Sequence, residues 1–138
     1  MKSHTPESLA NLRTIITDYM AREGYRPTLN ADGEIIFHFE GKTCYLQTDS
    51  KDHDALRIVI VNFHPLATAA ARARATIAAQ EATAATKVVK IFTLDDDTWC
   101  TAELVMPEPE RFIEILGRTL SAIRAALRAF EKSLAQNP

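Results

Sequence analysis

The sequence predicts an α+β protein in which an antiparallel sheet of five to six strands packs with helices, in the order α-β(3-4)-α-β-β-α. Two observations support this class. Short apolar segments follow one another across tight turns, and turns of two residues can join only antiparallel strands. Three longer segments with helical periodicity or high helix propensity lie before, between and after these strands.

Length and composition indicate a soluble globular protein. The chain has 138 residues, so residues 1–138 are predicted to form a single domain around one core. Hydrophobic residues make up 46% and charged residues 25%, which argues against a largely disordered chain. The net charge of −2 comes with no basic stripe, so no nucleic acid partner is expected. An export signal and an apolar run of about 18 residues are both lacking, which predicts a cytoplasmic protein without membrane association.

The first helix is predicted from about Pro6 to Glu23. A proline suits the first helical position because its missing N–H would have no partner there. Apolar residues then recur with a period of 3.6 residues. Gly24 is predicted to end the helix in the left-handed conformation, with Tyr25 folding back on Met20.

A hairpin is the clearest pattern in the chain. Gly41-Lys42 is predicted as a two-residue type II′ loop, which would pair Phe39 with Cys44 and His38 with Tyr45. An extended segment with Pro27 would precede the hairpin at a sheet edge. One hairpin face is fully apolar and is assigned to the core: Ile35, Phe37, Phe39, Cys44 and Leu46.

The opposite face of the sheet is the predicted working surface. The strand from Leu56 to Phe63 is apolar on both sides and needs cover on both. Exposed apolar patches on soluble domains usually mark association. A partner or dimer surface is therefore predicted at Ile36, His38, Tyr45, Val59, Val61 and Phe63. The residues leave open whether this face is covered by another chain or by a helix of the same subunit.

That helix would be the alanine-rich segment from Leu66 to Thr86, which can approach another backbone closely. A second hairpin is predicted from Lys87 to Met106, with an acidic turn around residues 95–97. A long final helix is predicted to open at Pro107–Glu110 and to keep helical phase for more than six turns.

Catalytic and metal signatures are weak. The loop from Asp49 to Asp54 is the best metal-site candidate, yet it lacks the spacing and the glycine of a calcium loop. No zinc-binding histidine motif and no phosphate-binding glycine pattern occurs, so no cofactor is expected. Cys44 and Cys100 are interpreted as reduced core thiols. A small metal-dependent or thiol enzyme using Asp49, Asp52, His53 and a cysteine is the alternative function.

The order of elements also resembles that of a known group of domains. The chain from about residue 5 to 134 is similar to the YbjN-like and type III secretion chaperone-like domains, on Gly24-Tyr25, Asp32-Gly33, Phe37-His38-Phe39-Glu40-Gly41, Tyr45 and the two-faced strand from Leu56 to Phe63. The resemblance implies frequent homodimerisation and binding of a protein segment rather than catalysis. The expected function is a non-catalytic protein-binding or chaperone-like module, a homodimer with a possible protein or peptide partner.

Overall fold

The computed structural model describes residues 6–137 and confirms the α+β class and the predicted order of helices and strands. Within these residues, six strands form one antiparallel sheet in the spatial order β1-β2-β3-β4-β6-β5. The elements are α1 (Pro6–Arg22), β1 (Thr28–Leu29), β2 (Ile35–Phe39), β3 (Lys42–Thr48), β4 (Ala55–Ile60), α2 (Ala69–Ala85), β5 (Val89–Leu94), β6 (Asp97–Val105), a 3₁₀ helix (Pro109–Glu114) and α3 (Leu116–Gln136).

The chain forms two compact units. The first unit comprises residues 1–58 and 103–117, and the second comprises residues 59–102 and 118–138. Strand β4 and strand β6 each contribute residues to both.

In the first unit, α1 ends with the predicted glycine motif, although its last residue is Arg22 and the predicted one was Glu23. Gly24 has a φ of +87°, and the N–H of Tyr25 donates to the carbonyl of Met20 at 3.0 Å. This pair of features is the Schellman ending. The tyrosine ring then meets Phe37 edge-on, with ring centroids 5.9 Å apart. The unit's buried apolar side chains are Leu9, Leu12, Ile16, Met20, Ile35, Phe37, Cys44, Leu46, Leu56, Ile58, Phe112 and Leu116.

The predicted register of the β2–β3 hairpin is wrong by two residues. Phe37 pairs with Cys44 and Phe39 with Lys42, so the two-residue loop is Glu40-Gly41. Both loop residues have positive φ, +54° and +72°, as a type I′ turn requires and a type II′ turn does not. The predicted assignment of side chains to the two faces is still correct. The side-chain period of a strand is two, so a shift of two residues leaves every side chain on the same face.

Strand β4 is shorter than predicted. It ends at Ile60, and Asn62 adopts a φ of +53°, which is incompatible with a continuing strand. Val61 and Phe63, both expected within this strand, therefore lie beyond its end. Phe63 keeps one sheet-like bond, since its N–H donates to the carbonyl of Thr98 at 3.1 Å.

In the second unit, α2 packs against β5 through small side chains. The helix begins after Thr68, whose hydroxyl accepts from the N–H of Ala71 at 3.0 Å, and its buried residues are all alanines: Ala75, Ala78, Ala79 and Ala82. The β5–β6 hairpin turns at residues 95 and 96, as predicted, with Leu94 paired to Asp97. The core of this unit is completed by residues of α3 that include Leu120, Ile123, Leu127 and Phe130.

The prediction of one continuous final helix is wrong. A 3₁₀ helix over Pro109–Glu114 comes first, and α3 starts only at Leu116. The cause is local hydrogen bonding: the N–H of Ile115 donates to the carbonyl of Phe112, three residues back, at 3.0 Å. This tighter turn leaves Phe112 only 1% exposed in the first unit, where α1 packs against the 3₁₀ helix.

Candidate functional site

The hairpin face of the first unit brings three of the predicted surface residues together. Ile36 lies directly opposite Tyr45 in the register, and both side chains are half-buried. His38 is exposed beside them, and its Nδ1 lies 3.5 Å from the hydroxyl of Thr43. This face is therefore apolar at its centre and accessible to solvent.

The other three predicted residues belong to the second unit and differ in exposure. Val59 is only 1% exposed and is a core residue of its unit. Val61 is half-buried. Phe63 packs edge-on against Phe130, with ring centroids 5.5 Å apart, and His64 meets the same ring at 5.3 Å. Of these three, Val61 and Phe63 keep accessible surface on the second unit.

A polar network crosses the exposed sheet face of the first unit, and sequence reasoning missed it. Gln47 Nε2 donates to Glu34 Oε2 at 2.5 Å, while Gln47 Oε1 accepts from Arg57 Nε and Nη2 at 2.8 and 2.6 Å. Arg57 Nη1 lies 3.8 Å from Glu103 Oε1. The two short bonds to one amide oxygen fix the plane of the guanidinium group. The only sequence signal was that Gln47 and Arg57 occupy outward-facing positions of strands.

A groove of about 510 Å³ lies along this network. It falls within the size range of sites that hold small ligands or short chain segments. Its rim includes Val105, a residue that is 77% exposed at the end of β6. The groove is lined by Gln47, Thr48, Asp49, Ala55, Leu56, Arg57, Glu103, Leu104 and Val105.

The loop from Asp49 to Asp54 uses its carboxylates to shape its own backbone. Asp49 Oδ1 accepts from the N–H groups of Lys51 and Asp52 at 2.8 and 3.2 Å, and Asp52 Oδ1 accepts from the N–H of Asp54 at 3.2 Å. These bonds lower the pKa of Asp49, chiefly through the N–H of Lys51. Within residues 6–137, no three His, Cys, Asp or Glu side chains are grouped so that they could hold a metal ion.

The two cysteines are buried and carry no disulfide. Burial raises the pKa of the Cys44 thiol from 9.0 to about 12, although the charge of Lys42 acts to lower that pKa. A thiol with so high a pKa is protonated at neutral pH and is a poor nucleophile. Cys44 and Cys100 belong to different units.

The outer edge of the second unit is partly closed by a side chain of α2. The hydroxyl of Thr83 accepts from the N–H of Ile91 at 2.9 Å and donates to the carbonyl of the same residue at 3.2 Å. Since β5 is the last strand of the sheet, these bonds satisfy backbone groups that have no neighbouring strand. Ile77 on the same helix is 50% exposed.

Comparisons with known proteins give the fold but no family. The chain is similar to a chain of the solved HopA1–SchA chaperone–effector complex, with a TM-score of 0.66 and 11% identity over 94% of this chain and 99% of that chain. No family model and no curated protein matches. None of the helices within residues 6–137 has the length and apolar character needed to cross a membrane.

Proposed function

We propose that this chain is a non-catalytic module that binds a segment of another protein, in a chaperone-like or regulatory role in the cytoplasm. The observation that carries the proposal is the exposed, half-apolar hairpin face around Ile36, His38 and Tyr45. Its fold is similar to that of a chain from a chaperone–effector complex, which supports a protein-binding role. We assign residues 1–138 to a single YbjN-like or secretion-chaperone-like domain.

Affinity capture with matched variants tests the binding role. Tagged wild-type protein expressed in its native cell is compared with His38→Asp and Tyr45→Asp, which add charge to the hairpin face, and with Ile15→Asp. Ile15 lies on α1 and is 40% exposed, so its variant adds the same charge in the same unit away from that face. We expect a protein that wild type and Ile15→Asp retain and that both face variants lose. A partner retained equally by all four would refute the assignment of the surface.

We also propose that the module is a homodimer that uses the sheet face of the second unit and the alanine helix. Small side chains on α2 permit close approach of another backbone, and Ile77 supplies exposed apolar area. Sedimentation equilibrium at micromolar concentration should give twice the chain mass of 15.4 kDa. A monomer mass at that concentration would contradict the dimer.

Two neighbouring substitutions separate folding from association. Ile60 is 2% exposed, so Ile60→Asp buries a carboxylate and should prevent folding. Val61 is half-buried beyond the strand end, so Val61→Asp should leave the circular dichroism spectrum native and lower only the sedimentation mass. Equal loss of folded protein in both variants would refute this assignment of faces.

A further inference from the structure

The two units carry opposite charge, which the small net charge of the chain conceals. Residues 1–58 and 103–117 contain thirteen acidic and eight basic residues, a net charge of −5. Residues 59–102 and 118–138 contain five acidic and eight basic residues, a net charge of +3. A ligand of the first unit therefore meets an acidic surface, although the whole chain carries only −2.

The polar network brings this acidity to the groove of the first unit. Two carboxylates of the lining, those of Asp49 and Glu103, share the groove with a single guanidinium, that of Arg57. That guanidinium donates two short hydrogen bonds to the neutral amide oxygen of Gln47, and its Nη1 lies 3.8 Å from Glu103 Oε1. The side chain of Glu103 is 43% exposed. A cation that enters the groove therefore meets more negative than positive charge.

Next to this charge the groove offers apolar surface at a fixed spacing. Glu103 and Val105 are two residues apart on β6, so their side chains point to the same face. Two residues of a strand span roughly 6.6 Å, which is also the spacing of alternate side chains in any extended peptide. Ala55 of β4, half-buried, adds to the apolar end of the groove.

We propose that this groove binds an extended segment of the partner protein in which a lysine or arginine is followed, two residues later, by an aliphatic side chain. The basic group lies at Glu103, and the aliphatic group covers Val105. The inference rests on the proposed protein-binding function and adds the chemistry of the bound segment. Charge complementarity selects a basic over an acidic segment, and the exposed valine selects an aliphatic over a polar one.

Fluorescence anisotropy with synthetic peptides tests the proposal. The probe is a labelled octapeptide, Lys-Ser-Val-Ser-Lys-Ser-Val-Ser, which repeats the required spacing. Two comparison peptides replace both lysines with glutamate or both valines with serine. We expect the probe to bind at least about tenfold more tightly than the glutamate peptide and about fivefold more tightly than the serine peptide.

Substitutions in the protein locate the binding. Glu103→Gln and Val105→Ser alter exposed side chains and should each weaken binding of the probe about threefold to fivefold. Glu23→Gln is the matched control, because Glu23 is an exposed acid of the same unit outside the groove. Thermal melts of all variants should superimpose, which shows that each remains folded.

Three results would overturn the inference: no binding of the probe, equal binding of all three peptides, or equal weakening by Glu23→Gln and Glu103→Gln. The last would mean diffuse attraction to an acidic unit. Capture of a partner that depends on His38 and Tyr45 would stand under any of these results, so the inference can fail while the proposed function survives. Loss of that capture would instead remove the function itself.

Discussion

Gly33 shows how a single backbone conformation supports the first unit. It has a φ of +80° in the turn before β2, a backbone conformation that residues other than glycine rarely adopt. The Arg13 guanidinium packs over its α-carbon, and an added Cβ would lie 2.5 Å from Arg13 Cζ. Arg13 also donates to the hydroxyl of Thr48 at 3.2 Å, so this contact joins α1, the turn and the end of β3.

We expect Gly33→Ala to lower the free energy of unfolding by about 1–2 kcal/mol, because of the cost of the left-handed conformation. The flexible end of the Arg13 side chain can move away from the added Cβ, so this contact adds little to the loss of stability. Gly117→Ala is the control: this glycine lies in the first turn of α3, has no atom within 4 Å of the added Cβ, and should gain about 0.5 kcal/mol. Urea denaturation measures both changes. A stabilised Gly33→Ala would contradict the strain argument.

The burial of Cys44 predicts a loss of stability at alkaline pH. Its pKa rises from 9.0 in the unfolded chain to about 12 in the fold, so the folded state favours the protonated thiol. The resulting stability is complete below pH 9 and is lost as the pH rises from 9 toward 12. Relative to Cys44→Ala, the wild-type free energy of unfolding should fall by about 2 kcal/mol between pH 8 and 10.5. Parallel curves for the two proteins would contradict the burial of this thiol.

At the scale of the secondary-structure element, the packing of α2 against β5 depends on one hydroxyl group. Thr83 satisfies both the N–H and the carbonyl of Ile91, a residue that is 4% exposed on the last strand. Without the hydroxyl, two nearly buried backbone groups would lose their partner. Because the alanines of α2 bury little apolar area, this interface depends more on polar contacts than one built from large apolar side chains would.

Thr83→Val should therefore destabilise the protein by about 1–3 kcal/mol, while Thr83→Ser should restore most of that loss because it keeps the hydroxyl. Thr76→Val is the matched control on the same helix. Its hydroxyl donates only to the carbonyl of Arg72 at 2.8 Å in an exposed turn, so the change should stay within about 0.5 kcal/mol. Equal effects of Thr83→Val and Thr76→Val in thermal or chemical unfolding would contradict the role of Thr83.

The sequence predicted elements better than it predicted their ends. The hairpin faces were correct because alternation alone decides them, but the loop depended on whether Gly41 occupies the first or second turn position. The positive φ of Asn62 ended β4 without any proline or glycine to signal it. The sequence did not reveal the break at Ile115 between the 3₁₀ helix and α3, because its apolar residues keep the same helical spacing through both.

At the scale of the whole molecule, the groove could not be predicted because its residues are distant in the chain. Gln47 and Glu103 are separated by more than fifty residues, and only the strand order brings β3, β4 and β6 side by side. The predicted hairpin surface needed no such information, since Ile36 and Tyr45 are neighbours within one hairpin. The opposite charges of the two units also required the fold, because each unit combines two separate stretches of chain.

The central claim is that the exposed hairpin face of the first unit contacts a partner protein, and crosslinking in the cell tests it most directly. A photoreactive amino acid replaces His38, which is exposed on that face, or Glu23, which is exposed at the end of α1. Irradiation of the native cell should join the variant at position 38 to a second protein in one discrete adduct that the additional Tyr45→Asp change removes. The variant at position 23 should give none. Failure of position 38 to form an adduct, or the same adduct from both positions, would contradict the account.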